Sequence, residues 1–322
     1  MSLLDDASIV ITPNGVKAGT LYAVIPSDGT ADVHCVRASA TTEVDSTGLP
    51  VYVAPNVPRI ELSGGCPVIS SEPERENLVF PSDLAVTQTR TVAAVEHVLT
   101  FYGTGTVVLT GTHSATLAGT GDTDRVQLIF TPTAGSLILT VTGSVKYWQL
   151  EEGSYPTSLI ETETGTVTRA KDQYSRDGIS SLINSTEGVL FVEVKTTYDS
   201  SLSRRISLSN GSTSNRVSIE FDDTVENKIK VFITLNGASE TLQYTAPDLS
   251  IFNKIAVKWK ANDFAIWFNG SAVVTETAEP RVPTGMNQLS FDGGNGANFF
   301  YGEVKQLQIY KTTDIDLASL TS

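Results

Sequence analysis

Residues 125–143 read RVQLIFTPTAGSLILTVTG, with apolar side chains at every second position on each side of Pro132-Thr133-Ala134-Gly135. A period of two places alternate side chains on opposite faces of a strand, so the pattern predicts strands at 125–130 and 136–141. A turn between them predicts an antiparallel hairpin with one buried face. Short runs of the same kind at 97–102, 106–110 and 145–150 predict a small sandwich or jelly roll. A longer series follows at 188–196, 205–208, 216–222, 228–235, 240–244, 254–260, 264–268, 271–275, 288–291 and 303–310. Asn236-Gly237 and Asn269-Gly270 each separate two of these runs, and Asn-Gly is the strongest short-range hairpin signal. Ahead of residue 77, runs at 8–12, 20–25, 32–36, 51–53 and 59–62 are divided by Pro-Asn-Gly, Pro-Ser-Asp-Gly and Ser-Thr-Gly-Leu-Pro. Those dividers carry turn chemistry. Residues 63–77 show no period and read as irregular, and only 315–320 reads as a short helix.

The fold class predicted is therefore all-β, with tandem antiparallel sandwiches. Composition separates three regions: 1–77, 78–164 and 165–322. Residues 147–172 form a Pro/Ser/Thr-rich joint between the last two. A second arrangement stays open, in which the first region completes the C-terminal sandwich and the middle one is an insertion. The repeated Arg-Ala step, in VRASATTEV and VTRAKDQYS, points that way.

Charge narrows the partners. The 322 residues carry a net charge of −14, from 22 Lys+Arg against 36 Asp+Glu. No basic footprint exists for nucleic acid or for an anionic membrane surface. No apolar run approaches the roughly 20 residues of a membrane span, and MSLLDDASIVIT has acids where a signal peptide needs a basic segment. The two cysteines, Cys35 and Cys66, do not amount to a disulfide framework, which leaves a bond between them open.

Candidate chemistry is sparse. Glu220, Asp222 and Glu226 share strand parity, and retaining glycosidases use paired carboxylates. The spacing is one residue longer than the usual run, and Asp222-Asp223-Thr224 reads as a hairpin turn, so no catalytic residue is assigned. His34, His97 and His113 lack metal-ligand spacing. Asp292-Gly293-Gly294-Asn295 offers oxygens to a Ca²⁺ ion but reads as a plain turn; no metal or cofactor is expected. Sugar binding needs exposed aromatic faces beside hydrogen-bonding groups. Trp259 shares parity with Ile255 and Val257 and is assigned to the core, and Trp148 to packing. Trp267 has the opposite parity to Ile266 and Phe268. Trp267, Tyr198, Tyr301 and Tyr102 are the candidate carbohydrate-binding rings.

Two resemblances sharpen this. The stretch IFNKIAVKWKANDFAIWFNGSAVVTE, followed by MNQLSFDG and FFYGEVKQLQIYKTTDIDLASL, resembles the C-terminal half of a concanavalin A-like (laminin G-like) jelly roll. The segments SLLDDASIVITPNGVKAGTLYAVIPSDG, VRASATTEVDSTGLP, PRIELSGGCP, EPERENL, FYGTGTVVLTG and QLEEGSYPTSLIETETGTVTRAKD together resemble tailed-bacteriophage structural proteins. That resemblance runs over essentially the whole chain. It implies an N-terminal particle-attachment region, a carbohydrate-binding-module-like sandwich and an outer lectin-like jelly roll. It further implies assembly into the virion in the host cytoplasm, as a tail or head fibre or decoration. The partners implied are other virion proteins, copies of this chain (threefold in fibres, although no heptads mark it) and a host surface glycan. Glu74 and Glu76 in EPERENL, and Ser70-Ser71 before it, depart from the family pattern. The expected function is a non-enzymatic virion structural protein. The alternatives are a carbohydrate-binding adhesin and, resting on Glu220–Glu226 alone, a polysaccharide-degrading glycosidase.

Overall fold

The computed structural model describes residues 3–196 and 203–322. The chain forms two compact units, one made of Met1–Val36, Val57–Glu72 and Asp172–Ser322, the other of Arg37–Asn56 and Pro73–Lys171. Boundaries drawn on composition at 77/78 and 164/165 do not coincide with these units. Composition registers turn and charge content along the chain, whereas strand partners are chosen by register and apolar faces.

In the larger unit the strand Ala7–Lys17 pairs with Thr20–Ile25 on one side and with Gly302–Tyr310 on the other. N- and C-terminal segments therefore share one antiparallel sheet. Its path continues from Gly302–Tyr310 through Glu187–Lys195, Asn253–Lys260, Phe264–Phe268 and Ser271–Glu276. In the other direction it runs from Thr20–Ile25 through Val33–Val36, Gln173–Arg176, Gln288–Ser290, Arg204–Ser209, Arg216–Phe221, Lys228–Leu235 and Ala238–Thr245. Side chains from both directions meet in one buried cluster: Ile206, Leu208, Val217, Ile219 and Val231 with Leu190, Val192, Ile255, Val257 and Trp259. The sheet thus folds back about a single core, and each such burial contributes roughly 1.5–3 kcal/mol. A smaller cluster occupies the opposite face, where Val189, Phe191, Ala256 and Tyr310 lie under Leu317 and Leu320. That is why residues 188–192 read as an unbroken apolar run: both faces are covered. The covering helix is Leu317–Thr321, capped by Asp316, whose carboxylate accepts from Ser319 N at 3.1 Å.

Both Asn-Gly turns are two-residue hairpins, with Leu235 opposite Ala238 and Phe268 opposite Ser271. Asn236, Gly237, Asn269 and Gly270 all have positive φ, as a type I′ turn requires. Residues 63–77 are not irregular. Arg59–Ser63 and Cys66–Ser71 form a hairpin about Gly64-Gly65, and Cys66–Ser71 also pairs with Gly302–Tyr310. Gly-Gly supplies the positive φ that the turn needs, a signal masked by Pro67 just beyond it. Cys35 is buried and Cys66 exposed, with no disulfide between them.

The smaller unit is a sandwich. One sheet holds Gly121–Phe130, His97–Gly103 and Lys146–Glu152; the other holds Ala115–Ala118, Thr106–Gly111, Gly135–Thr142 and Gln88–Val92. Leu99, Phe101, Trp148 and Leu150 from the first pack with Val107, Leu109, Leu137 and Leu139 from the second. The hairpin expected across residues 125–143 is corrected here. Both strands exist, but Gly121–Phe130 pairs with His97–Gly103, while Gly135–Thr142 pairs with Thr106–Gly111 and Gln88–Val92. The intervening turn crosses from one sheet to the other, because alternation fixes which face is buried and not which strand is the partner.

The joint at 147–172 is no loose linker. Thr157, Ser158, Leu159, Ile160 and Thr162 are buried, and Glu151 accepts from Thr157 N and Oγ1 at 2.8 and 2.7 Å. The two Arg-Ala steps lie together, with Ala170 N donating to Ser39 Oγ at 2.8 Å. Arg37 donates to Ala54 O at 2.8 Å and Arg169 to Ser158 Oγ at 2.9 Å.

Candidate functional site

In the larger unit, four adjacent strands have a buried apolar face and an opposite face of polar side chains. On Arg204–Ser209 the core takes Ile206 and Leu208, leaving Arg205, Ser207 and Ser209 on the other face. On Arg216–Phe221 the core takes Val217, Ile219 and Phe221, leaving Arg216, Ser218 and Glu220. Lys228–Leu235 leaves Lys230, Phe232 and Thr234, and Gln288–Ser290 leaves Gln288 and Ser290.

Register arranges these side chains in rows across the strands. The central row is Ser175, Ser290, Ser207, Ser218, Phe232 and Thr241, each directly opposite the next. Beside it run Arg205, Glu220 and Lys230; on its other side run Ser209, Arg216 and Thr234. Directly opposed side chains stand about 4.5–5.5 Å apart. The result is a floor of small hydroxyls, bounded by charged groups and interrupted by one aromatic ring before Thr241.

The charged groups converge. The Arg205 and Arg216 guanidiniums both lie over the Phe232 ring, at 4.9 and 5.7 Å from its centroid, within cation–π range. Arg205 starts two strands away from Phe232, so its side chain crosses the Arg216–Phe221 strand above the serine floor. Ser207, Ser218 and Ser290 are buried, the first and last of them against the Asp292–Gly294 turn. Ser207 Oγ donates to Asp292 O at 2.8 Å. Ser218 Oγ has no hydrogen-bond partner. Arg205 is ion-paired with Glu220, which also takes Lys230 at 3.5 Å and a hydrogen bond from Ser203 Oγ at 2.9 Å. Arg216 donates through Nη1 to Gly293 O at 2.5 Å. Among the described residues it has no carboxylate partner. Burial first, and then the neighbouring Arg205 charge, push the Arg216 guanidinium down to about 10, with Glu220 opposing.

The acidic trio does not gather. Glu220 is the penultimate residue of a strand, Asp222 begins the turn that follows, and Glu226 is exposed on that turn. Asp222 accepts from Thr224 N and Oγ1, both at 2.6 Å, and from Val225 N at 3.0 Å, and is ion-paired with Lys230. Burial works against its ionisation, but Lys230 and Thr224 outweigh it and hold the carboxyl well below the usual range.

Of the candidate rings, Tyr102 and Tyr301 are buried, at 3% and 7% exposure, so neither presents a face to solvent. Tyr102 packs edge-on to Tyr147, and Tyr301 is flanked by the buried Phe300. Trp267 is half-buried against the cluster beneath the C-terminal helix, on the face away from the main core, a choice of face that its parity left open. Tyr198 lies outside the described residues. Trp259 and Trp148 are fully buried, and their indole N–H groups donate to Asn184 O and Pro81 O. Asp292 turns its carboxylate inward to accept from Ser290 Oγ at 2.9 Å and Gly294 N at 2.5 Å, which makes it a turn-forming residue. Among the described residues no three His, Cys, Asp or Glu side chains are placed to hold a metal ion. Sequence reading missed Arg205, Arg216, Ser218 and Phe232. Their signal was parity opposite a buried run.

No family model and no curated protein matches the chain. Solved structures with partial likeness include the CBM40 of Ruminococcus gnavus IT-sialidase bound to α2,3-sialyllactose, at 18% identity and a TM-score of 0.38. That match covers 44% of this chain and 86% of the other. Domain 4 of AbnA, a GH43 extracellular arabinanase from Geobacillus stearothermophilus, in complex with arabinotriose, matches at 16% identity and a TM-score of 0.37, covering 52% and 82%. SCLam, a non-specific endo-β-1,3(4)-glucanase of family GH16, matches at 13% and 0.33, covering 45% and 64%.

Proposed function

We propose that the protein is a non-enzymatic, carbohydrate-binding β protein that recognises saccharides on the polar sheet face of its larger unit. The observation that carries this reading is the half-buried Phe232 ring with Arg205 and Arg216 over it. The ring stands at the end of the buried row Ser290–Ser207–Ser218, which a saccharide reaches only as Arg205 moves aside. Hydroxyl, guanidinium and ring groups held on paired strands are the fixed polar and aromatic contacts that a sugar needs, and rigid elements hold them more accurately than loops do. The non-enzymatic part rests on the acids. A glycosidase needs one carboxyl kept protonated as general acid. Here Glu220 is ion-paired with Arg205 and Lys230, and Asp222 is held low by Lys230 and Thr224.

An array of neutral and acidic oligosaccharides, probed with the full chain displayed multivalently, tests the binding reading. Multivalent display amplifies weak single contacts. Selective retention on at least one glycan class, lost in Phe232→Ala, is expected. No retention on any glycan would overturn it. Release of reducing ends from a bound polysaccharide would refute the non-enzymatic part.

The setting we propose is a bacteriophage virion appendage, in several copies, with the N-terminal segments docked on the particle. It is supported by the motif resemblance running from SLLDDASIVIT to VTRAKD. Mass spectrometry of purified particles is the check, and absence of this chain from them would remove that setting while leaving glycan binding intact.

A further inference from the structure

One cation of the polar face has no ion-pair partner among the described residues. Arg205, Arg216 and Lys230 share that face with Glu220, Asp222 and Asp292, and Asp292 is taken up by Ser290 Oγ and Gly294 N. That cation is Arg216. Arg205 takes Glu220, Lys230 takes both acids, and Arg216 reaches only the Gly293 carbonyl, through Nη1. Its Nε is buried and has no partner, so the Nε–Nη2 edge of the fork is unused. That edge matches a carboxylate through two parallel hydrogen bonds. Two residues along the same strand, Ser218 Oγ is fully buried and also unpartnered. A buried polar group without a partner is an unfavourable arrangement, and here Arg216 Nε and Ser218 Oγ belong to the same face of one strand.

Phe232 explains how two like charges come to be close. Its ring attracts both guanidiniums, which draws Arg205 and Arg216 together despite their repulsion. An anion entering between them would relieve that repulsion and occupy the free edge of Arg216. The shift of Arg216 to about 10 has the same origin, burial plus the Arg205 charge.

We propose that Arg216, Arg205 and Ser218 form an anion-recognition point selective for the carboxylate of an acidic saccharide, such as a uronic or sialic acid residue. Arg216 receives the carboxylate on its Nε–Nη2 edge. Arg205 swings off the serine floor to admit it, keeping Glu220 as its anchor, and Ser218 Oγ donates to the incoming oxygen. The inference rests on the glycan-binding reading and adds the ligand's charge to it.

Calorimetric titration of the full-length protein with oligogalacturonate, sialyllactose, dextran sulfate and neutral laminari-oligosaccharides tests the two separately. A carboxylate ligand is expected to bind at least about tenfold tighter than the neutral one, and to weaken as salt rises. Arg216→Lys, which keeps the charge but loses the fork, should weaken carboxylate binding about tenfold or more. It should weaken neutral binding by a clearly smaller factor than it weakens carboxylate binding. Arg216→Gln and Ser218→Ala, checked by thermal melting for an intact fold, should weaken carboxylate binding in the same selective way. Binding of neutral ligand alone would overturn the inference and leave the glycan-binding reading standing. Equal or tighter binding of dextran sulfate would overturn the carboxylate selectivity. Binding of no saccharide at all would overturn both.

Discussion

At the residue scale, the face opposite a buried strand run decides which side chains are available for chemistry. Trp259 and Trp267 follow that rule, the first fully buried and the second half-buried on the other face. Tyr102 and Tyr301 are buried although each precedes a glycine, a residue that leaves space beside a ring. Glycines at 103 and 302 have positive φ and permit close packing instead: a Cβ on Gly302 would come within 2.4 Å of Lys195 O. Asp222 yields a pH prediction. Its folded pKa lies below the ordinary 3.8, so at low pH the unfolded state binds the proton more readily. The stabilisation is fully present above about pH 4 and is lost as pH falls toward the folded pKa. Asp222→Asn should therefore flatten the acid limb of the stability profile and cost about 1–3 kcal/mol at neutral pH. Thermal melts across about pH 2 to 7 would show it, and an unchanged acid limb in the variant would refute this assignment.

At the element scale, the strands were legible and their partners only partly so. Alternation located Thr20–Ile25, Lys228–Leu235 and Phe264–Phe268 within two residues, because one buried face imposes a period of two wherever it occurs. Pairing could be read where the turn itself specifies it, at Asn236-Gly237 and Asn269-Gly270. It could not be read at Pro132–Gly135, where a longer connection is compatible with either sheet. The dependence on turn chemistry is measurable at Gly237. Its φ is +85, and nothing lies within 4 Å of the position a Cβ would take. Gly237→Ala should cost about 1 kcal/mol through backbone strain alone, read as a lowered midpoint in urea with an unchanged slope. A midpoint at or above the wild-type value would mean that the turn does not set this hairpin.

At the scale of the whole molecule, all-β architecture was evident from the repeated runs, but the assignment of segments to units was not. The larger unit draws strands from both ends of the chain. Ile9 and Ile11, fully buried, sit in the core with Leu307 and Ile309, almost 300 positions away, and no local pattern encodes such a pairing. A fragment of residues 165–322 lacks Ala7–Lys17, Thr20–Ile25 and Val33–Val36, and so loses the middle of its sheet. It should fail to give a cooperative thermal transition, whereas the full chain gives one. A stable, cooperatively folded 165–322 fragment would contradict the shared sheet. The polar face was illegible for the same reason: its serine row is contributed by strands that start at 173, 204, 216, 228 and 288 and exists only once register is set.

The central claim is that this face, and not another surface, takes the saccharide. Amide chemical-shift mapping of the full-length protein during titration with the glycan retained on the array addresses it most directly. Shifts concentrated on residues 205–209, 216–220, 230–234 and 288–294 are predicted, growing with saturation and absent with a non-binding glycan. Shifts confined to residues 73–171, or spread without focus while this face stays silent, would contradict the account.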